Sequence, residues 1–161
     1  MDFEESEEER AFRAEARSWL SEHAKPRVPG GPSDHSYVPG ERTPEADLEH
    51  LHACREWQRT LSDGGWAGIT WAREAGGRGG KSWQQRIFNE EQAKFDVAVG
   101  AFAVGIGMAG PTIIAWGSDE QKRRFLRPML SGDDVWCQLF SEPGAGSDLA
   151  GLRTRAERDG D

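Results

Sequence analysis

Cysteine is scarce in this chain, with Cys54 and Cys137 as the two examples, and neither sits at metal-type spacing from His or another Cys. That excludes a disulfide framework and gives no zinc signature, so no metal site is expected and a reducing, cytoplasmic setting fits. Basic residues are also outnumbered. Lys and Arg total 20 against 28 Asp and Glu, a formal charge of −8, which argues against a nucleic-acid partner because phosphate binding needs clustered cations. The N-terminus, MDFEESEEER, lacks the basic and then apolar order of a secretory leader. A long apolar stretch is nearly lacking as well. Val97 to Trp116 is a run of 20 residues without a charge, but Gly100, Gly105, Gly107, Gly110 and Pro111 interrupt it and no basic cluster flanks it. Buried core helices, rather than a membrane span, are expected there.

What is present reads as helix for most of the length. Asp2 with Glu5 resembles a capping box, and Phe12, Ala16, Trp19 and Leu20 share one face of an amphipathic first helix ending near Lys25-Pro26. From Pro26 to Pro44, five prolines and three glycines forbid regular structure, which makes this a long exposed insert in which His35 and Tyr37 are possible ligand contacts. Thr43-Pro44-Glu45 supplies an N-cap, a proline at the first helical position and an acid in the first turn. The second helix carries Leu48, Leu51, Cys54, Gln58 and Leu61 and stops at Asp63-Gly64-Gly65. His50 and His52 are two apart and point to different faces, so they do not form a metal pair. Trp83, Ile87, Glu91 and Phe95 at four-residue steps mark a third helix. Ser118 with Gln121 caps a further helix expected to end near Pro128, with Lys122, Arg123, Arg124 and Arg127 toward its C-terminal end.

Two glycine patterns mimic nucleotide sites. Gly76 to Ser82 approaches a P-loop, but the first position holds Ala75 and no β-branched strand precedes it. Gly105 to Gly110 fits G-x-G-x-x-G, but Pro111 follows at once and no βαβ unit surrounds it. Close packing of helices through glycine faces is the expected explanation.

The stretch with chemistry to perform is WCQLFSEPGAGSD, Trp136 to Asp148. An apolar, β-prone run (Val135, Trp136, Cys137, Leu139, Phe140) passes directly into a polar turn with no bulky side chain from Gly144 to Gly146. Such a loop admits close approach of a ligand to backbone N–H groups, and Ser141 and Ser147 add hydroxyls. Leu152 to Glu157 reads as a second strand, with Asp159-Gly160 as a tight turn after it.

Taken together, WCQLFSEPGAGSD with LAGLRTRAERDGD, GWAGITW with GGRGG, and GSDEQKRRFLRPMLSGDD resemble the N-terminal part of acyl-CoA dehydrogenases over essentially the whole chain. Ala72 departs from the proline usual in that family after Trp. The resemblance implies a mainly α fold: an N-terminal helical bundle domain over residues 1–132, followed over 133–161 by the first strands of an incomplete middle β-domain. It implies FAD as cofactor, an acyl-CoA thioester as substrate, and oxidation of a CH–CH bond in lipid metabolism. Gln138, Leu139, Phe140, Ser141, Glu142, Pro143, Gly144, Ala145, Gly146 and Ser147 would line the flavin. Amides around Phe140 and Ser141 would meet the pyrimidine side of the ring, and the Ser141 hydroxyl would lie near N5. Ser147 would reach the pyrophosphate and the thioester ligand. No catalytic residue is expected within the sequence, because the family's Glu base belongs to a C-terminal helical domain beyond residue 161. Glu142 is not a substitute for it.

The expectation is therefore a chain inactive alone, with residues after about Gly132 poorly packed unless a completing polypeptide or a homo-oligomer supplies the return strand. A non-catalytic helical interaction module, or one half of a split enzyme, is the alternative.

Overall fold

The computed structural model describes residues 4–28 and 43–160. The expectations for Asp2, His35 and Tyr37 lie outside them. The fold is mainly helical. Helix α1 spans Glu7–His23, α2 Pro44–Asp63, α3 Ser82–Gln92, α4 Gly110–Trp116 and α5 Asp119–Ser131. Short 3-10 turns occupy Arg73–Ala75 and Leu149–Gly151, and a π-helical turn at Gly105–Ala109 leads into α4. Two-residue strands β1 (Lys25–Pro26) and β2 (Phe95–Asp96) pair antiparallel, with Lys25 opposite Asp96 and Pro26 opposite Phe95. This clip ties the exit of α1 to the exit of α3, and it removes Phe95 from the third helix in which the four-residue spacing placed it.

Local chemistry accounts for the helix ends. Helix α1 is capped by Ser6, whose hydroxyl accepts from the Glu9 amide while the Glu9 carboxylate accepts from the Ser6 amide. The capping box thus lies four residues beyond the Asp2–Glu5 pair. Thr43 caps α2 with Pro44 in its first turn, and Ser118 with Gln121 caps α5, both as the sequence indicates. Helix α5 does not stop at Pro128: it continues to Ser131 and closes on Gly132 at φ +80°. Its cations therefore lie along the middle of the helix, and its last turn carries none.

Helices α1 and α3 pack side by side over one core cluster formed by Phe12, Ala16, Leu20, Trp57, Leu61, Trp66, Ile87 and Phe88. Each fully buried aliphatic or aromatic side chain there contributes about 1.5–3 kcal/mol. Glu91 lies on the same face of α3 and is 0 % exposed. It is held by Arg13 at 2.8 Å, Arg17 at 2.9 Å and Lys94 at 2.7 Å. Burial alone pushes this carboxyl up, but hydrogen bonds from Arg17, Lys94 and Arg13 outweigh it and bring it down to about 2. Arg13 also pairs with Glu5 and Glu90, so the α1–α3 seam is closed by a charge network.

A second cluster joins Trp71, Leu126, Met129 and Leu130, with Ile106, Ile113 and Trp136 against them. The glycine patterns belong to this packing. A Cβ on Gly110 would run into the Trp71 ring, and one on Gly80 would meet the Ile69 carbonyl oxygen at 2.8 Å. The 68–71 and 77–80 segments are stitched back to back by Arg78 N–H to Gly68 O (3.0 Å), Gly79 N–H to Trp71 O (2.7 Å) and Gly80 N–H to Ile69 O (2.7 Å). No strand leads into the P-loop-like run among the described residues. No described helix is long and apolar enough to cross a membrane.

After Asp134 the chain forms no ladder: the strands expected at Val135–Phe140 and Leu152–Glu157 are not formed among the described residues. The β-prone pattern calls for partner strands, and none lies alongside to accept the hydrogen bonds.

Candidate functional site

The loop from Gln138 to Ser147 begins at an anchor. Trp136 is partly buried against α5 and the π-turn, with its ring edge-on to Phe125 at 5.4 Å and its Cβ beside Gly105. Beyond the anchor the chain lifts into solvent. Leu139 is 87 % and Phe140 68 % exposed, and Ser141 and Ser147 are exposed too.

A tight turn then forms. Glu142 N–H donates to Ala145 O at 2.9 Å and Ala145 N–H returns to Glu142 O at 3.0 Å, which buries Ala145. The Glu142 carboxylate reaches forward eleven and twelve positions. It accepts from the Arg153 amide at 2.9 Å, the Thr154 amide at 2.5 Å and the Thr154 hydroxyl. Residues 142–154 are thereby closed into a ring with the short Leu149–Gly151 turn at its far side. The Thr154 hydroxyl, followed by the Arg153 and Thr154 amides, holds the Glu142 carboxyl below its ordinary value. Spent on these donors, the carboxylate holds the loop and is not a free base. The Arg153–Thr154 half of this closure was not legible in the sequence, because nothing in a Glu and a Thr twelve apart signals the pairing.

The donor capacity left over is what suits a ligand. The backbone N–H groups of Gln138, Leu139, Phe140, Ser141, Gly144, Gly146 and Ser147 make no hydrogen bond within the described protein. A Cβ on Gly144 or Gly146 would meet nothing within 4 Å. Neither glycine has a positive φ. Open backbone, unspent amides and two free-standing hydroxyls fit an anionic, heteroatom-rich cofactor such as a flavin dinucleotide. Among the described residues no group of three or more His, Cys, Asp or Glu is placed to hold a metal ion.

A second feature lies in the helical part. A cleft of about 460 Å³ opens between α2, the connector after it, α3 and the 98–111 segment. Trp57, Trp66, Trp71, Phe88 and Phe102 give it an apolar wall. The Trp71 Nε1–H donates to the Ile106 carbonyl at 3.3 Å, and Ile106 also packs in the cluster that anchors Trp136. One structural unit therefore supports both the cleft rim and the root of the loop.

A family model, the acyl-CoA dehydrogenase N-terminal domain, matches residues 6–133. The chain belongs to the acyl-CoA dehydrogenase family. It is 37% identical over 150 residues to the acyl-CoA dehydrogenase IpdE1 of Mycobacterium tuberculosis, an alignment covering 93% of this chain and 37% of that protein. In structure it matches a chain of the ChsE4-ChsE5 complex from Mycobacterium tuberculosis with a TM-score of 0.69 at 34% identity, all of this chain lying against 37% of that one. The Tcur3481-Tcur3483 steroid ACAD matches with a TM-score of 0.67 at 31% identity, covering 38% of its chain. This acyl-CoA dehydrogenase sequence thus spans well under half the length of the relatives it matches.

Proposed function

We propose that this chain supplies the helical part and one wall of the flavin site of an FAD-dependent acyl-CoA dehydrogenase, acting on an acyl-CoA thioester in the cytoplasm. The observation that carries it is the row of unspent donors from Gln138 to Ser147, on a chain of this family, fixed by the Glu142 closure. The Phe140 and Ser141 amides and the Ser141 hydroxyl would hold the ring heteroatoms, and the Gly146–Ser147 end would take phosphate oxygens and the thioester ligand. FAD, when bound, supplies the acceptor for the hydride leaving the β-carbon. The donors of this chain, already fixed by the turn, would stabilise negative charge on that acceptor without reorganising. The apolar cleft takes the acyl group away from water. Glu142 does not remove the α-proton, since its lone pairs are engaged. That proton goes to a base on a further segment; the ChsE4-ChsE5 neighbour is itself a complex of two named proteins.

Equilibrium dialysis against FAD tests this. Retention by the parent chain, weakened about tenfold or more when Ser141→Ala and Ser147→Ala are combined, supports a flavin wall; each lost hydrogen bond to a charged group is worth about 1.5–3 kcal/mol. A parent chain that retains no FAD would favour a helical interaction module instead. Steady oxidation of an acyl-CoA by the chain alone, with an artificial electron acceptor, would refute the need for a completing segment.

A further inference from the structure

The buried stripe of α2 contains one residue that its chemistry does not suit. Cys54, Trp57, Gln58 and Leu61 are the buried positions, and Gln58 is 5 % exposed. A primary amide carries two donor hydrogens and an acceptor oxygen, and whichever part goes unpaired on burial is costly. The fold accounts for the donor half. Gln58 Nε2–H donates to the Leu130 carbonyl at 2.8 Å, one of the last carbonyls of α5, which have no partner within their own helix. The stem of Gln58 packs tightly as well: a Cβ on Gly132 would lie 3.1 Å from the Gln58 Cβ and 3.3 Å from the Phe102 ring. Held on Leu130 and wedged against Gly132, the side chain has one orientation.

The oxygen half is unspent. Gln58 Oε1 accepts no hydrogen bond within the protein. Nor is it sealed off, since among the described residues Asp47 Oδ1 is the fully enclosed side-chain atom without a partner. Gln58 lines the cleft together with Trp57, Phe102 and Ile106. Two further amides there have their oxygens taken: Asn89 accepts from Gln85 at 2.9 Å, and Gln92 accepts from the Trp57 Nε1–H at 3.2 Å. An alkyl chain that fills the cleft displaces water from Gln58 Oε1 and gives it nothing in return. A ketone oxygen can only accept, so it leaves Gln58 unpaired too. A hydroxyl donates, and satisfies it.

We infer that Gln58 is a specificity-determining residue of the cleft and selects an acyl group that bears a hydroxyl, whose O–H donates to Gln58 Oε1. This rests on the proposed acyl-thioester reading, and it adds the substituent the acyl group carries and the residue that reads it. A methylene more or less in an apolar pocket discriminates weakly, whereas a buried polar group left unpaired discriminates strongly, so the hydroxyl counts for more than chain length.

The test compares coenzyme A thioesters of hexanoate, octanoate and decanoate on the purified chain, each as the parent acyl group, its penultimate hydroxy form and the matching ketone. The three lengths carry the hydroxyl to different depths, and binding is read from quenching of the tryptophans that wall the cleft. At one length or more the hydroxy thioester is expected to bind about fivefold more tightly than both the parent acyl group and the ketone, the equivalent of one net hydrogen bond. Gln58→Met, an unbranched side chain of similar length, is expected to bring the hydroxy-to-ketone ratio to about one while binding of the parent acyl groups changes less than about threefold. Circular dichroism confirms that the variant folds. Should it not fold, for want of a donor to Leu130, the side-chain amide resonances of Gln58 in the unsubstituted protein decide: they are expected to shift with the hydroxy thioester and not with the ketone. Thioester binding with no preference for the hydroxyl at any length, a preference that survives Gln58→Met, or Gln58 resonances indifferent to the hydroxyl overturns the inference and leaves the acyl-thioester reading standing. No binding of any thioester overturns both.

Discussion

Residues 6–133 and residues 134–160 satisfy their chemistry in opposite ways. Among the described residues of the first stretch most large apolar side chains are covered, with Val28, Leu48, Met108 and Trp116 the exposed ones, and even a fully buried carboxylate, Glu91, has three cations on it. In the second, Leu139 and Phe140 stand in solvent, the backbone amides of the loop are largely unspent, and a single carboxylate, Glu142, closes the turn. One stretch keeps its polar groups for itself, and the other leaves them for something else. Substitutions that act strongly in the first should therefore be nearly silent in the second.

The largest contrast is at the two glutamates. Glu91→Gln leaves Arg13, Arg17 and Lys94 facing a neutral amide in a buried site, and a loss of about 3–5 kcal/mol is expected, the usual cost of breaking a buried pair. Urea denaturation followed at 222 nm measures it; a loss under 1 kcal/mol would mean that the seam is held by its apolar contacts alone. The same carboxylate predicts acid sensitivity. Because its folded value of about 2 lies below that of an unfolded glutamate, its stabilisation is complete above the unfolded value and fades as pH falls from there toward 2. That contribution is at most about 3 kcal/mol. Glu5, Glu9 and Glu90 are lowered as well and act in the same direction. In Glu91→Gln the slope of stability between pH 5 and about pH 2 should flatten markedly.

Next come the glycines. A Cβ at Gly77 would collide with the Trp71 carbonyl and lie 2.5 Å from that of Gly68. Both oxygens are fixed in the stitched connector and cannot give way, so Gly77→Ala should cost about 1–3 kcal/mol. Gly144→Ala, where nothing lies within 4 Å, should change stability by less than about 0.5 kcal/mol. Equal melting shifts for the two would erase the distinction between packed and open glycines.

Most of the helical architecture was legible because its signals are local. Thr43-Pro44, Ser118 with Gln121, and Asp63-Gly64-Gly65 mark helix ends by hydrogen bonding within four residues, and the structure keeps all three. Where sequence reading erred, a longer-range choice decided. Helix α1 takes its capping box from Ser6 with Glu9, and α5 ran through Pro128 because Gly132 offered a left-handed stop. Leu48 is exposed although it shares the apolar spacing of α2. Phe95 left the helical periodicity because Asp96 and Phe95 pair with Lys25 and Pro26, some 70 positions away. The candidate loop was visible as Ser and Gly with no bulky side chain, but the ring closing it was not, and the cleft was invisible because its walls come from α2, α3 and the 98–111 segment together.

The smallest global effect, and the one most informative about the loop, is expected at Glu142. Replacing it with Gln keeps one acceptor oxygen and removes the charge that strengthens the bonds from Arg153, Thr154 and the Thr154 hydroxyl. The helical core does not contact this carboxylate, so the melting temperature should stay within about 1–2 °C while the Arg153 and Thr154 amides lose hydrogen-exchange protection. The pH dependence follows from the lowered carboxyl. Closure is fully favoured above the pKa of the open loop and is lost as pH falls through the value of the closed loop, so protonation opens the ring. In Glu142→Gln the exchange of those two amides, corrected for its intrinsic pH dependence, should no longer change across that range. If instead the parent's Arg153 and Thr154 amides exchange at unprotected rates at neutral pH, the loop is not closed by Glu142, and the difference between the two stretches reduces to burial alone.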